Sequence, residues 1–264
     1  MSDTSLLVEA ASDVARVAGT LANKFFRKTL DVETKDDGSP VTVADRAAES
    51  AAREWIAQRF PSDDVLGEEL ESIDRGAARR WIIDPIDGTK SFVRGVPLWG
   101  TLVAVAEADR VLASAAYFPA IDEMLTAGLE HGCWWNGVRS RVSLVSDLSA
   151  ATVLTTDERF TAAPSRQSAW RRLVANAGLS RSWGDCYGYL LVATGRAEAM
   201  LDGALAPWDA AALFLAVNEA GGVFTDWNGV STAFGGSGIA TNAALATPIR
   251  ALLGDEATPT GIRV

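Results

Sequence analysis

A mixed α/β fold is what this chain predicts, and three observations carry that expectation. Stretches with apolar residues at helical spacing alternate with short β-rich runs. Residues 100–145 are a series of such runs separated by turn signals. Two further runs, Val65-Leu66-Gly67 and Trp81-Ile82-Ile83, stop at carboxylates, and layered α/β structures gather ligands where strands end.

In chain order, residues 4–28 place Leu7, Ala11, Val14, Val17, Ala18 and Leu21 on one face, which predicts an amphipathic scaffold helix. A polar loop containing Lys35, Asp36, Asp37, Gly38, Ser39 and Pro40 follows. Thr42 lies three residues before Asp45, a capping-box spacing that opens a second helix over 43–59. At this point Asp45 has two readings, an acid answering the first-turn dipole or a functional carboxylate. The runs Thr101–Ala106, Val111–Phe118, Glu123–Ala127 and Cys133–Trp135, with an Asn136-Gly137 hairpin signal, predict an antiparallel meander. Beyond it we expect helices near 166–177 and 186–194, a strand around 198–201, and a long helix from Pro207 to Ala220. Pro207 suits a first helical turn, and Gly221-Gly222 suits the left-handed stop. Ile239–Thr241 then leads into a last helix near 242–253, and Gly254–Val264 reads as a frayed tail.

The chain's 264 residues, 48% of them hydrophobic, can fill one large single unit or two intimately packed halves, 1–150 and 151–264, with no linker marking the boundary. With 24 basic and 34 acidic residues the formal charge is −10, which argues against a nucleic-acid polymer as partner. An anionic substrate then needs local help from metal ions or a few basic groups. Cys133 and Cys186 form no CxxC pair and describe neither a disulfide framework nor a zinc site. No stretch approaches the roughly 18 apolar residues of a membrane span, and Met1–Glu9 lacks the order of a signal peptide. The expectation is an untargeted, cytoplasmic protein without a membrane partner.

The most informative stretch is Trp81-Ile82-Ile83-Asp84-Pro85-Ile86-Asp87-Gly88-Thr89-Lys90-Ser91-Phe92. Asp84 and Asp87 supply hard oxygen ligands suited to Mg²⁺ and can reach one metal cluster if the chain turns sharply at Pro85. Gly88 allows close backbone approach. If a helical turn begins there, the N–H groups of Gly88 and Thr89 can hold an anion such as phosphate. Asp-Pro and Asp-Gly also occur in ordinary loops. Asp209, at the start of the Pro207 helix, could answer the dipole alone. Yet Glu68, Asp84, Asp87 and Asp209 come from three separated segments, each where regular structure ends or begins, and their number suits two or three Mg²⁺ ions.

Taken together, Gly67-Glu68-Glu69, Asp84-Pro85-Ile86-Asp87-Gly88-Thr89, Trp208-Asp209-Ala210-Ala211 and Glu219-Ala220-Gly221-Gly222 resemble the inositol monophosphatase-type family of Mg²⁺-dependent phosphatases. The resemblance covers almost the whole chain. It implies a layered αβαβα sandwich of the inositol monophosphatase and fructose-1,6-bisphosphatase type, usually a homodimer, with lithium-sensitive hydrolysis of a small phosphomonoester. It implies metal contacts by Glu68, Asp84, the Ile86 carbonyl, Asp87 and Asp209, and attack by a metal-activated water without a protein nucleophile. Thr89, paired with Asp45, is implied to orient and deprotonate that water. Lys35 lies in the matching loop and is a weaker candidate for the third metal or phosphate.

Within the family, Gly184-Asp185-Cys186-Tyr187-Gly188-Tyr189 and Phe92–Gly100 resemble the histidinol-phosphatase branch, which serves histidine synthesis. An extra acid at Asp185 suits a substrate bearing an ammonium and an imidazole. Asp202 falls where relatives place an acid contacting the leaving alcohol. Tyr187 and Arg94 are further lining candidates, although Asp185 also reads as a solvated turn and Tyr187 as a core aromatic.

Cys133 and Arg139, six positions apart and followed by Ser140, resemble a cysteine-phosphatase signature. The bulky Trp134-Trp135 and the Asn136-Gly137 turn do not suit the phosphate-wrapping loop that a low-pKa thiolate needs. His131, the only histidine, has loop-like neighbours and reads as a bystander. An inositol-1-monophosphatase or 3′-phosphonucleotide phosphatase is the enzymatic alternative, and a metal- or phosphate-responsive regulatory binding protein the non-enzymatic one.

Overall fold

The computed structural model describes residues 3–29, 32–34 and 40–254. Lys35 and the tail beyond Gly254 lie outside the described residues. The chain opens with α1 (Asp3–Asn23), a small antiparallel pair β1 (Val32–Thr34) and β2 (Pro40–Thr42), and α2 (Val43–Arg59). Next come β3 (Asp64–Gly67), β4 (Arg79–Asp87), the single turn α3 (Thr89–Phe92), and the meander β5 (Gly100–Glu107), β6 (Arg110–Phe118), β7 (Glu123–Gly128), β8 (Gly132–Trp135) and β9 (Val138–Arg139). The second half runs β10 (Thr152–Thr155), α4 (Gln167–Val174), β11 (Leu179–Arg181), α5 (Asp185–Ala193), β12 (Ala199–Asp202), α6 (Pro207–Glu219), β13 (Val223–Thr225), β14 (Gly238–Thr241) and α7 (Ala246–Leu253).

Strands β3 to β9 make a seven-stranded sheet in sequence order, antiparallel except for the β3–β4 pair. A five-stranded sheet has the order β11-β10-β12-β14-β13, with β10 parallel to both neighbours. Alternation along the strands decides the layering. Trp81, Ile83, Val103, Val105, Ala113 and Ala115 face α1 and α2, whose small residues Ala11, Ala15, Ala48 and Ala52 allow close approach. Ile82, Leu102 and Ala104 face the other way, meeting Leu190 of α5 and Leu213 and Val217 of α6. Those two helices also cover Leu154, Met200 and Phe224 of the second sheet. The far face of that sheet, with Val153, Leu201 and Ile239, packs on Trp170 and Leu173 of α4 and Ile249 of α7. The layers therefore read αβαβα.

Three expectations change. The first helix stops at Asn23, not near 28: tight bonds from Lys24 N to Leu21 O (3.1 Å) and Phe25 N to Ala22 O (2.9 Å) close its end. They turn Phe26 onto Phe92 and Trp99, with centroids 5.6 and 5.5 Å away. Pro85 makes no sharp turn; β4 continues to Asp87 with a register shift against β5 between Asp84 and Asp87, a bulge that re-aims side chains. The last helix begins at Ala246 rather than 242, because the buried Asn242 side chain takes the Leu245 N–H and donates to Val145 O. The strands β10, β11 and β13 were not singled out in the sequence.

Candidate active site

The β4 bulge sets the geometry. Thr101 Oγ1 donates to the Pro85 carbonyl (2.8 Å), and the Ile86 N–H donates to Asp84 Oδ1 (2.9 Å). Asp84 and Asp87 are thereby brought to one side of the strand end. Glu68 follows β3 directly, its N–H donating to Ile83 O of β4 (3.2 Å). Gly67 before it is required by packing, since a β-carbon there would overlap the Glu49 carboxylate. Asp209 sits in the first turn of α6 and accepts the Ala206 N–H at 2.7 Å.

Oxygens of Asp84, Asp87 and Asp209 lie within 4.8 Å of one another. Burial pushes the Asp84 carboxyl well above the usual range, and the charges of Glu68, Asp87 and Asp209 push it further. Burial does the same to Asp87, reinforced by Asp185 and Asp209. Asp209 is pushed up to about 7, by burial first and then by Glu68 against the opposing Ala206 bond. Hard oxygen donors whose charges repel one another out of water are what a divalent cation relieves, so this donor set fits a metal.

Asp45 completes the capping box: its Oδ2 accepts the Thr42 N–H (2.8 Å) and hydroxyl (2.6 Å). Its Oδ1 is buried without a hydrogen-bond partner. Burial raises its pKa against the Thr42 bonds, with Glu68 adding to the rise. The implied Asp45–Thr89 pair is not formed here; the Thr89 hydroxyl donates to the Ile86 carbonyl (2.9 Å) because the bulge turns that oxygen toward it. Gly88 adopts φ +85°, a left-handed conformation suited to glycine, and caps α3.

Asp87, Gly88, Thr89, Asp185, Asp202 and Asp209 line one cavity of about 250 Å³. Asp185 opens α5 at φ +51° and is no solvated turn. Its neighbour Cys186 donates its N–H to Asp87 Oδ2 at 2.5 Å. Burial and the Asp202 charge push Asp185 up to about 6. Asp202 is buried at the end of β12 and accepts the Tyr189 hydroxyl at 3.0 Å.

Two lining candidates are corrected. Tyr187 points away from this cavity, its ring 6.1 Å from Phe118 in an apolar groove with Leu98, Trp183 and Leu191; two residues on, along α5, it is Tyr189 that lines the site. Arg94 is exposed and folds back on the Lys90 carbonyl at 2.9 Å. Lys90 lines the cavity instead, and neither it nor Tyr189 nor Thr156 was singled out as a site residue. For Lys90 the signal was its place in the dodecamer; for Thr156 there was none in the local sequence.

The cysteine-phosphatase reading fails on geometry as well. Asn136 and Gly137 both have positive φ, 48° and 77°, as a type I′ hairpin turn requires, and burial pushes the Cys133 thiol up to about 12. His131 is exposed, its Nδ1 2.8 Å from Leu129 O.

The Inositol monophosphatase family profile matches residues 3–254. A histidinol-phosphatase of Chlorobaculum parvum is 40% identical, over 94% of this chain and 96% of that protein. One of Mycobacterium tuberculosis is 36% identical, over 90% and 92%. Among solved structures, an inositol monophosphatase from Zymomonas mobilis superposes with a TM-score of 0.85 at 29% identity, over 96% of this chain and 99% of that one. That superposition supports the αβαβα order above, and the profile match runs through β4, α5 and α6, the elements that carry the acids. The chain belongs to the inositol monophosphatase family of phosphoric monoester hydrolases.

Proposed function

We propose that this protein hydrolyses L-histidinol phosphate to L-histidinol and phosphate, as a Mg²⁺-dependent step of histidine synthesis. The observation that carries the substrate reading is the pair Asp185 and Asp202, two carboxylates on one cavity wall, where burial and the Asp202 charge raise the proton affinity of Asp185. An ammonium on the leaving alcohol relieves that repulsion; a neutral polyol does not. The names of the two bacterial relatives support the same substrate.

Glu68, Asp84, the Ile86 carbonyl, Asp87 and Asp209 are assigned to hold two or three Mg²⁺ ions. When bound, Mg²⁺ supplies Lewis acidity, lowering the pKa of a water and offsetting charge on the phosphoryl oxygens. Gly88 and Thr89 offer unpaired first-turn N–H groups to the phosphate, and Lys90 adds a positive charge beside them. Asp45 and Thr89 are assigned to orient the attacking water and take its proton; the buried, partnerless Asp45 Oδ1 supports that role. Asp185 and Asp202 hold the alcohol as it leaves.

The reading further includes a single phosphatase unit whose halves meet near residue 150, assembled as a homodimer and working in the cytoplasm, where the free, buried Cys133 and Cys186 stay reduced. Among the described residues no helix is long and apolar enough to cross a membrane.

The test is phosphate release from L-histidinol phosphate, myo-inositol 1-phosphate and a 3′-phosphonucleotide, with Mg²⁺ and after chelation. Preference for histidinol phosphate, lost on chelation, is expected; preference for either other ester refutes the substrate. Asp185→Asn should weaken histidinol phosphate turnover far more than that of an amine-free ester, and equal losses would remove Asp185 from specificity.

A further inference from the structure

Asp202 and Asp185 arrive from different elements, the end of β12 and the start of α5, and their like charges oppose each other. Something must hold them together. Asp202 is tied at both oxygens: Oδ2 takes the Tyr189 hydroxyl (3.0 Å) and Oδ1 takes the Thr156 N–H (3.1 Å). Among the described residues the Asp185 carboxylate has no comparable anchor: it receives a long 3.4 Å bond from Ser91 Oγ and the favourable charge of Lys90. Its position therefore depends on its backbone, which sits at φ +51°, a left-handed conformation that few non-glycine residues adopt, aspartate among them. The group that meets this backbone is again Thr156, whose Oγ1 accepts the Asp185 N–H at 2.8 Å. Contact is close enough that a β-carbon on Gly184 would overlap the Thr156 Cα.

We infer that Thr156 is a positioning residue for leaving-group recognition: it holds Asp202 through its main-chain N–H and Asp185 through its hydroxyl, fixing the two acids as one ammonium-receiving pair. This rests on the proposed substrate reading. Thr156 is suited to the task by placement, because it borders both the catalytic cavity and an adjoining chamber of about 450 Å³, which also share Lys90 and Asp202. A hydroxyl that accepts from Asp185 still has its own proton to give, so Thr156 can tie the pair without adding a charge that would compete with the substrate's ammonium.

The experiment compares Thr156→Val, which keeps the shape and the main-chain N–H but loses the hydroxyl, with Thr156→Ser, which keeps the hydroxyl. Each is assayed as Mg²⁺ holoenzyme on L-histidinol phosphate and on amine-free glycerol 1-phosphate. For Thr156→Val we expect KM for the amine-bearing ester to rise about tenfold, the worth of one hydrogen bond to a well-placed acid. Its kcat stays within about twofold, the amine-free ester is unaffected, and Thr156→Ser restores wild-type KM. Equal loss on both esters, or no rescue by Thr156→Ser, reduces Thr156 to a structural link and overturns the inference. Should Thr156→Val not fold, Thr156→Ala, which admits water to the Asp185 N–H, carries the same expectations. If the wild-type enzyme itself shows no preference for the amine-bearing ester, the substrate reading falls, and the positioning claim is judged separately by crystal structures of the wild type and Thr156→Val. An Asp185 that relaxes from its left-handed conformation upholds it, and an Asp185 that stays in place overturns it.

Discussion

Glu49→Ala should damage the active site from beneath, without touching any proposed metal ligand. Glu49 is fully buried on α2, and its carboxylate faces Gly67, pairs with Arg53 at 2.7 Å and accepts the Glu69 N–H at 2.8 Å. Arg53 in turn donates to Leu70 O (3.0 Å) and Glu71 O (2.9 Å). The two side chains thus clamp the segment that carries Glu68. Breaking a buried pair by removing one partner costs about 3–5 kcal/mol. Arg53 keeps its two carbonyl bonds, so the low end applies, and the orphaned Glu69 N–H adds about 1 kcal/mol. The sum of about 4 kcal/mol corresponds to a melting temperature lower by roughly 8–16 °C in a chain of this size. Released from its clamp, Glu68 should also bind metal less well, raising the Mg²⁺ concentration for half-maximal activity by about 10-fold. Urea unfolding and Mg²⁺ titration of phosphatase activity read the two effects. Glu49→Gln, which keeps an acceptor for Glu69, should fall between. A loss under about 1 kcal/mol with an unchanged Mg²⁺ requirement would refute the clamp.

The crowded acids should also appear in thermal stability. Mg²⁺ at about 100 times its dissociation constant stabilises by about 2.7 kcal/mol, whereas Asp84→Asn, relieving the burial of a charge and the repulsion by Glu68, Asp87 and Asp209 that together raise Asp84's pKa, should melt higher than wild type without metal and lose most of the Mg²⁺-dependent gain; a lower metal-free melting point would contradict this. Cys133, pushed up to about 12 by burial, should resist iodoacetamide at pH 8 until the chain unfolds, and rapid alkylation of the native protein would contradict its placement. Burial opposes ionisation of Asp157, but the Thr161 hydroxyl and N–H, with Arg159, hold it down to about 2. A folded pKa below the unfolded value of about 3.9 contributes stability that is present above that value and lost as pH falls through 2. The urea midpoint of Asp157→Asn should therefore trail wild type at pH 5 and converge with it near pH 2, and a constant gap would reject the assignment.

Periodicity was a sound guide where one face of an element meets one layer. The face of α1 that carries Leu7, Ala11, Val14 and Ala18 was legible because it meets one sheet face; α2 was legible from its Thr42–Asp45 cap, and β5 to β8 from the turns between β-rich runs, since β5 and β6 are buried on both faces. Periodicity failed where tertiary packing overrode local pattern. Residues 24–28 continue an apolar rhythm, yet the helix ends at Asn23 and Phe26 packs against Phe92 and Trp99. The strands β10 and β13 are only four and three residues long, too short for alternation to stand out. In β4 the sequence showed Pro85 but not that the chain would answer it with a bulge, since that depends on Thr101 of the neighbouring strand reaching the Pro85 carbonyl.

The site divides along the same line. Glu68 follows β3, Asp87 ends β4 and Asp209 opens α6, so these proposed metal ligands, with Asp84 just before the end of β4, could be picked out from boundaries written in local sequence. Groups that line the leaving-group wall obey no such rule, because what matters is which way an element happens to face. Tyr187 and Tyr189 are both aromatic and both on α5, and helical geometry places them about 200° apart, so only one can reach the cavity; the choice is set by α5 packing on Phe118 and Phe224. The same dependence explains Thr156. Its partners Asp185 and Asp202 are 29 and 46 residues away, and the meeting exists only because β10 lies beside β12 in the sheet while α5 packs against it. The proposed metal set can be recognised from local sequence, whereas the proposed selectivity for the alcohol rests on contacts between segments that share no local pattern.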